Sequence, residues 1–518
     1  MNLNNLPEYH PTSYIDFSKA EHKKAMEEAI AKVRKSLGNM NPNWINGKEI
    51  ITGETFSSLN PSNTSEIIGK FPLATKEHAI EAVESANKAF HDWSRKSWEE
   101  RAGYLLKASE LMKQRRHEFS AMMILEVGKN YPEADADTAE AIDFMEFYAR
   151  EALRYGAVQQ VYQLPGETDE MIYIPLGVAV VVPPWNFPLA ILVGMTVAAL
   201  VTGNTVVLKP SSDSPAIGQM FVNLLREVGI PGGVLNYITG SGGAIGDTLV
   251  AHPKTRMVAF TGSMEVGIHI NELASKVQPG QIWLKRVIAE MGGKDSILVN
   301  HDADLESAAQ GIVASAFGFQ GQKCSACSRA IIHKDVYDQV ANRVVELVKE
   351  FEQGPADKNF KIGPVSSERG MKSILKYIEI GKSEGKLLVG GTRTSNEGYY
   401  IAPTVIGDID PMAKISQEEI FGPVLALIKG NDFDHILEIG NNTQYGLTGA
   451  VYSKNPAILE KAKKEFFVGN LYLNRKCTGA IVGAHPFGGF NMSGTDSKAG
   501  GKDYLLLFLQ AKSIATKN

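Results

Sequence analysis

Two cysteines in the stretch GFQGQKCSACSR, residues 318–329, have the residue types and spacing that could carry out chemistry. Cys324 and Cys327 stand at C-x-x-C spacing, and they are two of the three cysteines in the 518-residue chain. Such a pair occurs in zinc sites, in dithiol redox motifs and beside nucleophilic thiols. These three kinds of site place different demands on the rest of the sequence.

The rest of the chain favours a nucleophile at Cys324. Zinc requires three or four nitrogen or sulfur ligands, whereas the remaining cysteine, Cys477, lies far along the chain without a neighbouring pair of histidines, so no metal is expected. A redox dithiol is expected at a helix N-terminus after a thioredoxin-like strand, in a smaller protein. Cys327 and Cys477 suit small buried apolar positions, but Cys324 is flanked by glycine, lysine and serine.

Two polar residues elsewhere could assist a thiol nucleophile. Asn186 lies in the loop PPWNFP after an apolar strand, where α/β sheets bind ligands, and its amide could donate to an oxyanion. Glu290, in VIAEMGGKDS, lies between apolar residues and a Gly-Gly turn, a setting that raises a carboxyl pKa and suits a general base. Taken singly, each residue also fits an ordinary turn asparagine or a solvated glutamate.

Two glycine-rich turns resemble phosphate-binding loops. GSGGAIG at 240–246 and GSMEVG at 262–267 each follow a predicted strand and precede a helix, where free backbone N–H groups can hold a pyrophosphate. Neither is a strict G-x-G-x-x-G, and neither continues into the Lys-Ser/Thr of a Walker loop. The local sequence therefore leaves open an ordinary βα turn at both places.

The elements that must position these residues alternate between strands and helices. Strands VAVVV (178–182) and TVVLK (205–209), with a helix from about Leu189 to Val201 between them, form a βαβ unit of a buried parallel sheet. Further strands are predicted at VLNYIT (234–239), MVAFTG (257–262), DSILVN (295–300), RAIIH (329–333), LLVGG (387–391) and PVLALIK (423–429). This pattern predicts an α/β fold with doubly wound sheets in two domains.

Two flanking segments have other patterns. Residues 76–154 read as amphipathic helices, the first with an apolar stripe that should cover a sheet face and that comprises Ala79, Ile80, Val83, Ala86 and Phe90. Residues 155–177 alternate around the turn PGETDE, which predicts a two-stranded hairpin. An isolated hairpin is marginal, so it should pair either with the C-terminal segment YLLLFLQAKSIATKN or with another subunit.

Composition excludes several classes of partner. A net charge of -5 with both signs interspersed offers no basic field for nucleic acid. Residues 171–208 carry no formal charge, but Pro183, Pro184 and Pro188 and the turn TGN divide the run into pieces too short to span a bilayer. The sparse cysteines and the absence of a secretory pattern at the N-terminus predict a reducing, cytoplasmic location.

Seven motifs, in order along nearly the whole chain, resemble those of the aldehyde dehydrogenase superfamily. They are PWNFP (184–188), VVLKPSSDSP (206–215), FTGSMEVG (260–267), EMGGK (290–294), GQKCSACSR (321–329), EEIFGPV (418–424) and PFGG (486–489). The resemblance implies two doubly wound parallel-sheet domains and a small β oligomerisation hairpin. Residues 1–154 and 178–289 would form the NAD(P)-binding Rossmann-type domain, 290–477 the catalytic domain, and 155–177 with 490–518 the bridging segments of a dimer or larger homo-oligomer.

The resemblance also implies a mechanism. Cys324 would attack an aldehyde to give a thiohemiacetal, whose oxyanion would be held by Asn186 and the backbone N–H of Cys324. Hydride transfer to the cofactor would leave a thioester, and Glu290 would activate the water that releases the acid. A thiolate is a strong nucleophile and a good leaving group, so the oxidation divides into two easier steps.

The cofactor residues follow from the same resemblance. Lys209 would bind the adenosine ribose, Gly262 and Ser263 would lie at the pyrophosphate, and the nicotinamide side would involve Glu419, Phe421 and Trp185. Ser212 departs from the glutamate that many NAD-dependent members carry three residues after the lysine. Because serine does not repel a 2′-phosphate, NAD is expected and NADP is left open.

The nucleophile motif and residues 472–508 resemble the branch that oxidises L-glutamate γ-semialdehyde, formed from 1-pyrroline-5-carboxylate in proline and arginine breakdown, to L-glutamate. By that resemblance an amino-acid semialdehyde would bind through its carboxylate to Ser325, Gly479 and Ala480. Its aliphatic chain would pack on Phe187 and Phe487. Two alternatives remain, namely a different semialdehyde substrate and a catalytically silent binding protein on the same fold.

Overall fold

Two seven-stranded, largely parallel sheets form the framework of the protein. A computed structural model describes residues 6–518, so the first five residues of the N-terminal stretch, where no secretory pattern is expected, lie outside the described residues. Within residues 6–518, no helix combines the length and the apolar character that crossing a bilayer would require.

The strands of the described chain are Asn43–Ile45 (β1), Lys48–Ile50 (β2), Thr55–Asn60 (β3), Asn63–Pro72 (β4), Glu167–Pro175 (β5), Val178–Val182 (β6), Thr205–Leu208 (β7), Leu235–Tyr237 (β8), Thr255–Thr261 (β9), Arg286–Glu290 (β10), Ser296–Val299 (β11), Arg329–His333 (β12), Lys386–Val389 (β13), Thr404–Gly407 (β14), Val424–Gly430 (β15), Tyr445–Gly446 (β16), Thr448–Tyr452 (β17), Asn470–Leu473 (β18), Phe490–Asn491 (β19) and Leu509–Lys517 (β20).

The helices are Ala20–Arg34 (α1), Lys76–Trp93 (α2), Trp98–Gln114 (α3), Arg116–Val127 (α4), Tyr131–Gly156 (α5), Ala190–Val201 (α6), Pro215–Glu227 (α7), Asp247–Ala251 (α8), Met264–Ser275 (α9), Leu305–Phe317 (α10), Tyr337–Lys349 (α11), Glu368–Glu384 (α12), Lys414–Gln417 (α13), Phe433–Asn441 (α14) and Pro456–Glu465 (α15).

The first sheet has the strand order β10-β9-β6-β7-β8-β1-β2, with β1 and β2 antiparallel at one edge. Its central strands are nearly continuous apolar runs because helices cover both faces, as parallel sheets require. The predicted unit β6-α6-β7 is confirmed, with β6 and β7 paired in parallel. The other strands predicted in this region, β8 and β9, are also confirmed, with ends shifted by one or two residues.

The second sheet has the order β13-β14-β15-β12-β11-β17-β18, and only the edge strand β13 runs antiparallel. Strands β11, β12, β13 and β15 lie where the sequence predicts them. The two sheets together confirm the predicted α/β class and the doubly wound architecture. The chain passes from the first sheet to the second through the short connection between β10 and β11.

The prediction of a two-stranded hairpin within residues 155–177 is half right: the second strand forms, but the first does not. Strand β5 pairs with the C-terminal strand β20 over nine residue pairs, from Leu509 with Pro175 to Lys517 with Glu167, which confirms one of the two expected partners. Residues 157–166 form only a single bridge, between Gln159 and Met171. The C-terminal strand pairs with one edge of β5, and the other edge carries only this bridge within the described residues.

The helices predicted over residues 76–154 are present as α2 to α5. The stripe predicted for α2 is partly wrong, since Ile80 is exposed and Phe90 is only partly buried. The buried face of α2 instead comprises Ala79, Ala82, Val83, Ala86 and Trp93. Small side chains allow this helix to lie close to β7 and β8, which explains why alanines rather than the larger residues face the sheet.

Candidate active site

The predicted site residues meet where the two sheets face each other. Asn186, Lys209 and Gly262 follow the carboxyl ends of β6, β7 and β9, and Glu290 is the last residue of β10. Cys324 instead precedes the amino end of β12 in the second sheet. Because ligands bind outside the carboxyl ends of parallel strands, this edge of the first sheet is suited to a cofactor.

The loop before Cys324 has an unusual backbone. Phe319, Gln320 and Gly321 all have left-handed conformations, with φ of 48°, 55° and 67°. Such conformations cost non-glycine residues energy and persist only where the surroundings fix them. The side-chain amide of the buried Gln320 donates to the carbonyl oxygen of Pro364 at 2.6 Å. The turn therefore follows the end of α10 and places Cys324 in the space between the sheets.

Asn186 contacts this loop directly. Its Nδ2 donates to the carbonyl oxygen of Gln322 at 3.1 Å, and the residue is 3% exposed. The side chain of Gln322 is fixed in turn, because its Oε1 accepts from the backbone N–H of Ser366 at 2.9 Å. The asparagine amide thus lies beside the backbone that leads to the thiol of Cys324.

Glu290 lies at the end of β10, close to two backbone segments that lack side chains. A Cβ atom on Gly488 would come within 2.9 Å of its Oε1, and one on Gly494 within 3.3 Å of its Oε2. Ser497 donates to Oε1, whereas the buried Oε2 has no hydrogen-bond partner among residues 6–518. Burial raises the pKa of the Glu290 carboxyl to about 8, so a proton can be held or released near neutral pH.

The surroundings of Cys324 oppose ionisation of its thiol. Burial raises the pKa of the Cys324 thiol well above its usual range, and the nearby carboxyl groups of Asp295, Glu419 and Glu290 raise it further. All three cysteines are free thiols, and both Cys327 and Cys477 are buried. Cys324 therefore bears no bond to Cys327, and the thiol requires a base or a bound positive charge before it can act as a nucleophile.

A cavity of about 480 Å³ extends from the thiol to the protein surface. Seven of the predicted catalytic and substrate residues line it, namely Phe187, Glu290, Cys324, Ser325, Gly479, Ala480 and Phe487. Asn186 does not line the cavity. Its contact with the site is the hydrogen bond to the carbonyl oxygen of Gln322, two residues before Cys324. The cavity is large enough for an amino-acid side chain and its head group.

Besides Glu290, the cavity contains charged residues that were not predicted from the sequence. Lys323 forms an ion pair with Glu133 of α5 at 2.6 Å. Further along the same helix, Glu140 also lines the cavity, and burial raises the pKa of its carboxyl to about 8. Residues 133, 136, 140, 144 and 148 of α5 all line the cavity. That spacing of three and four residues was the available sequence signal.

Two of the residues predicted to bind the cofactor, Lys209 and Ser212, follow the carboxyl end of β7 in the first sheet. Lys209 is buried, its Nζ donates to the carbonyl oxygen of Pro210 at 3.3 Å, and burial lowers its pKa to about 8. Ser212, in contrast, is exposed. An ammonium group with one long hydrogen bond retains donors for a ligand hydroxyl, so this site fits a ribose.

The two glycine-rich turns differ. Ser263 caps α9, and its Oγ accepts from the backbone N–H of Val266 at 3.4 Å. A Cβ on Gly262 would lie 2.5 Å from the ring of Phe260, so only glycine fits there. Residues 242–246 instead form a π-helical turn that leads into the short helix α8. The arrangement at α9 fits a pyrophosphate at a helix N-terminus.

Glu419 and Phe421 are the residues predicted to bind the nicotinamide end of the cofactor. The backbone N–H of Gly293 donates to Glu419 Oε1 at 3.0 Å, and burial raises the pKa of the Glu419 carboxyl to about 7. A Cβ on Gly292 would overlap the Glu419 carboxylate. Phe421 has φ of 57°, and its ring centroid lies 5.4 Å from that of Trp185 in an edge contact. This fixed carboxylate beside two aromatic rings fits a nicotinamide ribose.

Comparison with known proteins agrees with this arrangement. The model of the aldehyde dehydrogenase family matches residues 44–514. The chain belongs to the aldehyde dehydrogenase family. This aldehyde dehydrogenase is 59% identical over 501 residues to a 1-pyrroline-5-carboxylate dehydrogenase of Geobacillus sp. (strain WCH70), with 96% of this chain and 97% of the relative covered. The enzyme of that name from Bacillus subtilis (strain 168) is 55% identical over 503 residues, covering 97% and 98% of the two chains.

Solved structures give the same result. A point mutant of the 1-pyrroline-5-carboxylate dehydrogenase of Thermus thermophilus matches this aldehyde dehydrogenase with a TM-score of 0.98 and 48% identity, covering 99% of this chain and 100% of the other. A structure of the enzyme of that name from Thermus with bound NAD matches with the same TM-score, identity and coverage, 0.98, 48%, 99% and 100%.

We expect alkylation of Cys324 to be slow at pH 7 and to accelerate beyond pH ~9, because only the thiolate reacts and the raised pKa keeps the thiol protonated. The measurement is the rate of carbamidomethylation by iodoacetamide between pH ~6 and ~10, read at each cysteine by mass spectrometry. The Cys324→Ala variant should take up no label at early times, since Cys327 and Cys477 are buried. Fast labelling of Cys324 at pH 7 would contradict the effect ascribed to burial.

Proposed function

We propose that this aldehyde dehydrogenase oxidises L-glutamate γ-semialdehyde, the open form of 1-pyrroline-5-carboxylate, to L-glutamate with NAD, in the breakdown of proline and arginine. The main support for this proposal is the composition of the cavity. A single cavity contains the thiol of Cys324 and, along its walls, both an ammonium group and carboxylates suited to the two charges of an amino acid. The names of the relatives support the same substrate.

Cys324 is the proposed nucleophile. Its sulfur attacks the aldehyde carbon after the thiol proton has passed to solvent, which reaches the cavity through its opening at the protein surface. The oxygen of the aldehyde then carries negative charge. We propose that the Asn186 amide, which lies against the carbonyl oxygen of Gln322, and the backbone N–H of Cys324 donate to this oxygen and stabilise the thiohemiacetal.

The residues on the cofactor side fit NAD. When bound, NAD supplies a two-electron acceptor for the thiohemiacetal carbon. Lys209 would donate to the adenosine ribose, Gly262 and Ser263 would present backbone to the pyrophosphate, and Glu419 would accept from the nicotinamide ribose. Phe421 and Trp185 form the aromatic wall beside this carboxylate. These side chains would hold the acceptor on the side of the first sheet from which Asn186 and Glu290 reach the site.

Glu290 is the proposed base for release of the acid. Oxidation leaves the acyl group on Cys324 as a thioester, which water must cleave. The Oε2 of Glu290, unpartnered in the part of the chain that the structure describes, can take a proton from that water, and the resulting thiolate is a good leaving group. Because burial raises the pKa of this carboxyl to about 8, its ionised form is a stronger base than an ordinary glutamate, but only a fraction of the molecules carries it near neutral pH.

The head group of the substrate meets the charged part of the cavity. Gly479 has φ of 84°, which favours glycine, and it leaves backbone N–H groups accessible to a carboxylate together with Ser325 and Ala480. Lys323, which pairs with Glu133, and Glu140 also line the cavity, and we propose that Glu140 attracts the α-ammonium group.

The apolar part of the substrate is the short chain between the aldehyde and the head group. Phe187 and Phe487 line the cavity, and we propose that their rings pack on this chain. Aromatic side chains bury large apolar areas at low entropic cost, so they can hold a flexible aldehyde in line with the thiol.

The remaining proposals concern organisation. The Rossmann-type domain comprises residues 1–154 and 178–289, the catalytic domain residues 290–477, and the bridging segments 155–177 and 490–518. The arm formed by β5 and β20 bears exposed apolar residues beside it, including Val158 and Tyr162, which supports assembly into a homo-oligomer through this arm. Three free cysteines support a reducing, cytoplasmic compartment.

The substrate assignment predicts a clear preference in steady-state assays. We expect kcat/KM with 1-pyrroline-5-carboxylate to exceed that with succinate semialdehyde by roughly 100-fold, because only the former offers an ammonium group to the cavity carboxylates. The measurement is the rate of NADH formation, followed by absorbance, with both aldehydes. Ser325→Ala should lower kcat/KM for the first substrate and spare an uncharged aldehyde such as propanal. Equal efficiency with the two semialdehydes would contradict the assignment.

The base assignment predicts a pH dependence. As pH falls below about 8, Glu290 becomes protonated and cannot accept a proton from water, so kcat for acid release should fall. Glu290→Gln should lower kcat by roughly 100-fold and remove this limb of the profile. Rapid mixing should then show a burst of NADH followed by slow turnover. An unchanged kcat with no burst would show that another group is the base.

The serine at position 212 predicts relaxed cofactor choice. NAD should be the better cofactor, but NADP should support turnover, because no carboxylate at this position repels a 2′-phosphate. Ser212→Glu should reduce kcat/KM for NADP by roughly tenfold or more and leave that for NAD nearly unchanged. The matched control is Ser211→Glu, since Ser211 is the adjacent serine. A wild-type enzyme with no measurable NADP activity would refute this expectation.

A further inference from the structure

The segment of residues 6–18, here called the N-terminal strap, crosses α5 without forming a helix or strand. Side chains of α5 bind its backbone. The N–H and Oγ1 of Thr12 donate to Asp143 Oδ1 at 2.8 and 2.6 Å, and the N–H of Ile15 donates to Asp135 Oδ2 at 2.9 Å. Both carboxylates are buried, so these hydrogen bonds hold the strap firmly in place.

Further hydrogen bonds attach the strap to Arg116 and to a loop that lines the cavity. Arg116 pairs with Asp135 at 2.6 Å and also donates to the carbonyl oxygen of Ser13 at 2.9 Å. The hydroxyl of Tyr9 donates to the carbonyl oxygen of Val482 at 3.2 Å. Val482 belongs to the loop of residues 478–483, which supplies several lining residues of the cavity. The strap thus contacts both α5 and the loop of residues 478–483.

Between the anchors at Thr12 and Ile15 lies Tyr14, whose side chain lines the cavity. Tyr14 is also 60% exposed, so it stands at the opening and not in the interior. Glu133 and Glu140 of α5, the helix that anchors the strap, line the cavity as well. The aromatic ring is therefore an outer wall near the charged end of the cavity, held by a backbone that is fixed on both sides.

We propose that Tyr14 is a specificity-determining residue that closes the amino-acid end of the cavity and limits the length of the aldehyde it accepts. This inference rests on the proposed function, because it assumes that the aldehyde reacts at Cys324 while the head group lies near α5. The distance between thiol and wall is set by the strap, whose buried anchors cannot shift without leaving Asp135 or Asp143 without these donors. On this proposal, a substrate one methylene longer is expected to meet the ring.

The test compares three aldehydes in the full-length enzyme, namely L-glutamate γ-semialdehyde, its homologue with one more methylene (L-2-aminoadipate 6-semialdehyde), and propanal. In Tyr14→Ala, kcat/KM for the longer homologue relative to the shorter substrate should rise about tenfold, the effect expected for one methylene. The KM for L-glutamate γ-semialdehyde should rise several-fold with little change in kcat. Propanal, which is too short to reach the wall, should be unaffected.

Three further variants separate the ring from the fold. Tyr14→Phe should behave as wild type, because the ring and not the hydroxyl forms the wall. Thr12→Val removes the hydroxyl hydrogen bond to Asp143 but keeps that of the backbone N–H, and it should change the preference in the same direction, to a smaller extent. Ile51→Ala truncates a side chain of equal exposure, 60%, which does not line the cavity, and should change nothing.

The outcomes distinguish the two proposals. A wild-type enzyme that does not oxidise L-glutamate γ-semialdehyde would overturn the proposed function and, with it, the length limit. A wild-type enzyme that does oxidise it, together with a Tyr14→Ala variant whose preference stays within about twofold of wild type, would overturn only the role of Tyr14.

Discussion

One buried ion pair connects the parts of the active site. Lys129 Nζ lies 2.8 Å from Asp137 Oδ2, and both side chains are fully buried. Asp137 also accepts from the backbone N–H of Ala190 at 2.6 Å, at the start of α6. The ammonium group lies 4.2 Å from the ring centroid of Phe187 and 4.7 Å from that of Phe319. Removing one partner would leave an unpaired buried charge, at a cost of about 3–5 kcal/mol.

The two rings on Lys129 belong to different halves of the site. Phe187 follows Asn186 at the edge of the first sheet, and Phe319 lies in the left-handed turn that leads to Cys324. The ion pair therefore fixes the loop that supplies the proposed oxyanion donor against the loop that supplies the thiol. A site assembled from two sheets needs such a contact, because neither sheet alone determines the distance between these loops.

Burial gives this site its acid–base properties. It raises the pKa of the Cys324 thiol and of the Glu290 carboxyl, so both groups hold their protons near neutral pH until a ligand or a base changes the balance. Residues of helix α5 have two different roles at this site. Its residues Glu133 and Glu140 line the cavity, and Asp135 and Asp143 bind the N-terminal strap. A single helix thus supplies charge to the cavity and holds its outer wall.

The sequence by itself determined the α/β class, most of the strands and the identity of the proposed catalytic residues. Apolar runs bounded by glycine and proline predict buried strands, and the seven motifs locate Cys324, Asn186 and Glu290 without knowledge of their contacts. Only the tertiary structure decided which side chains meet. Lys323 and Glu133 are 190 residues apart, and Thr12 and Asp143 are 131 apart. The pairing of β5 with β20, and the exposure of Ile80, were likewise decided by packing. The physical reason is that periodicity and turn chemistry act over a few neighbouring residues, whereas burial and ion pairing depend on segments that come together only in the folded chain.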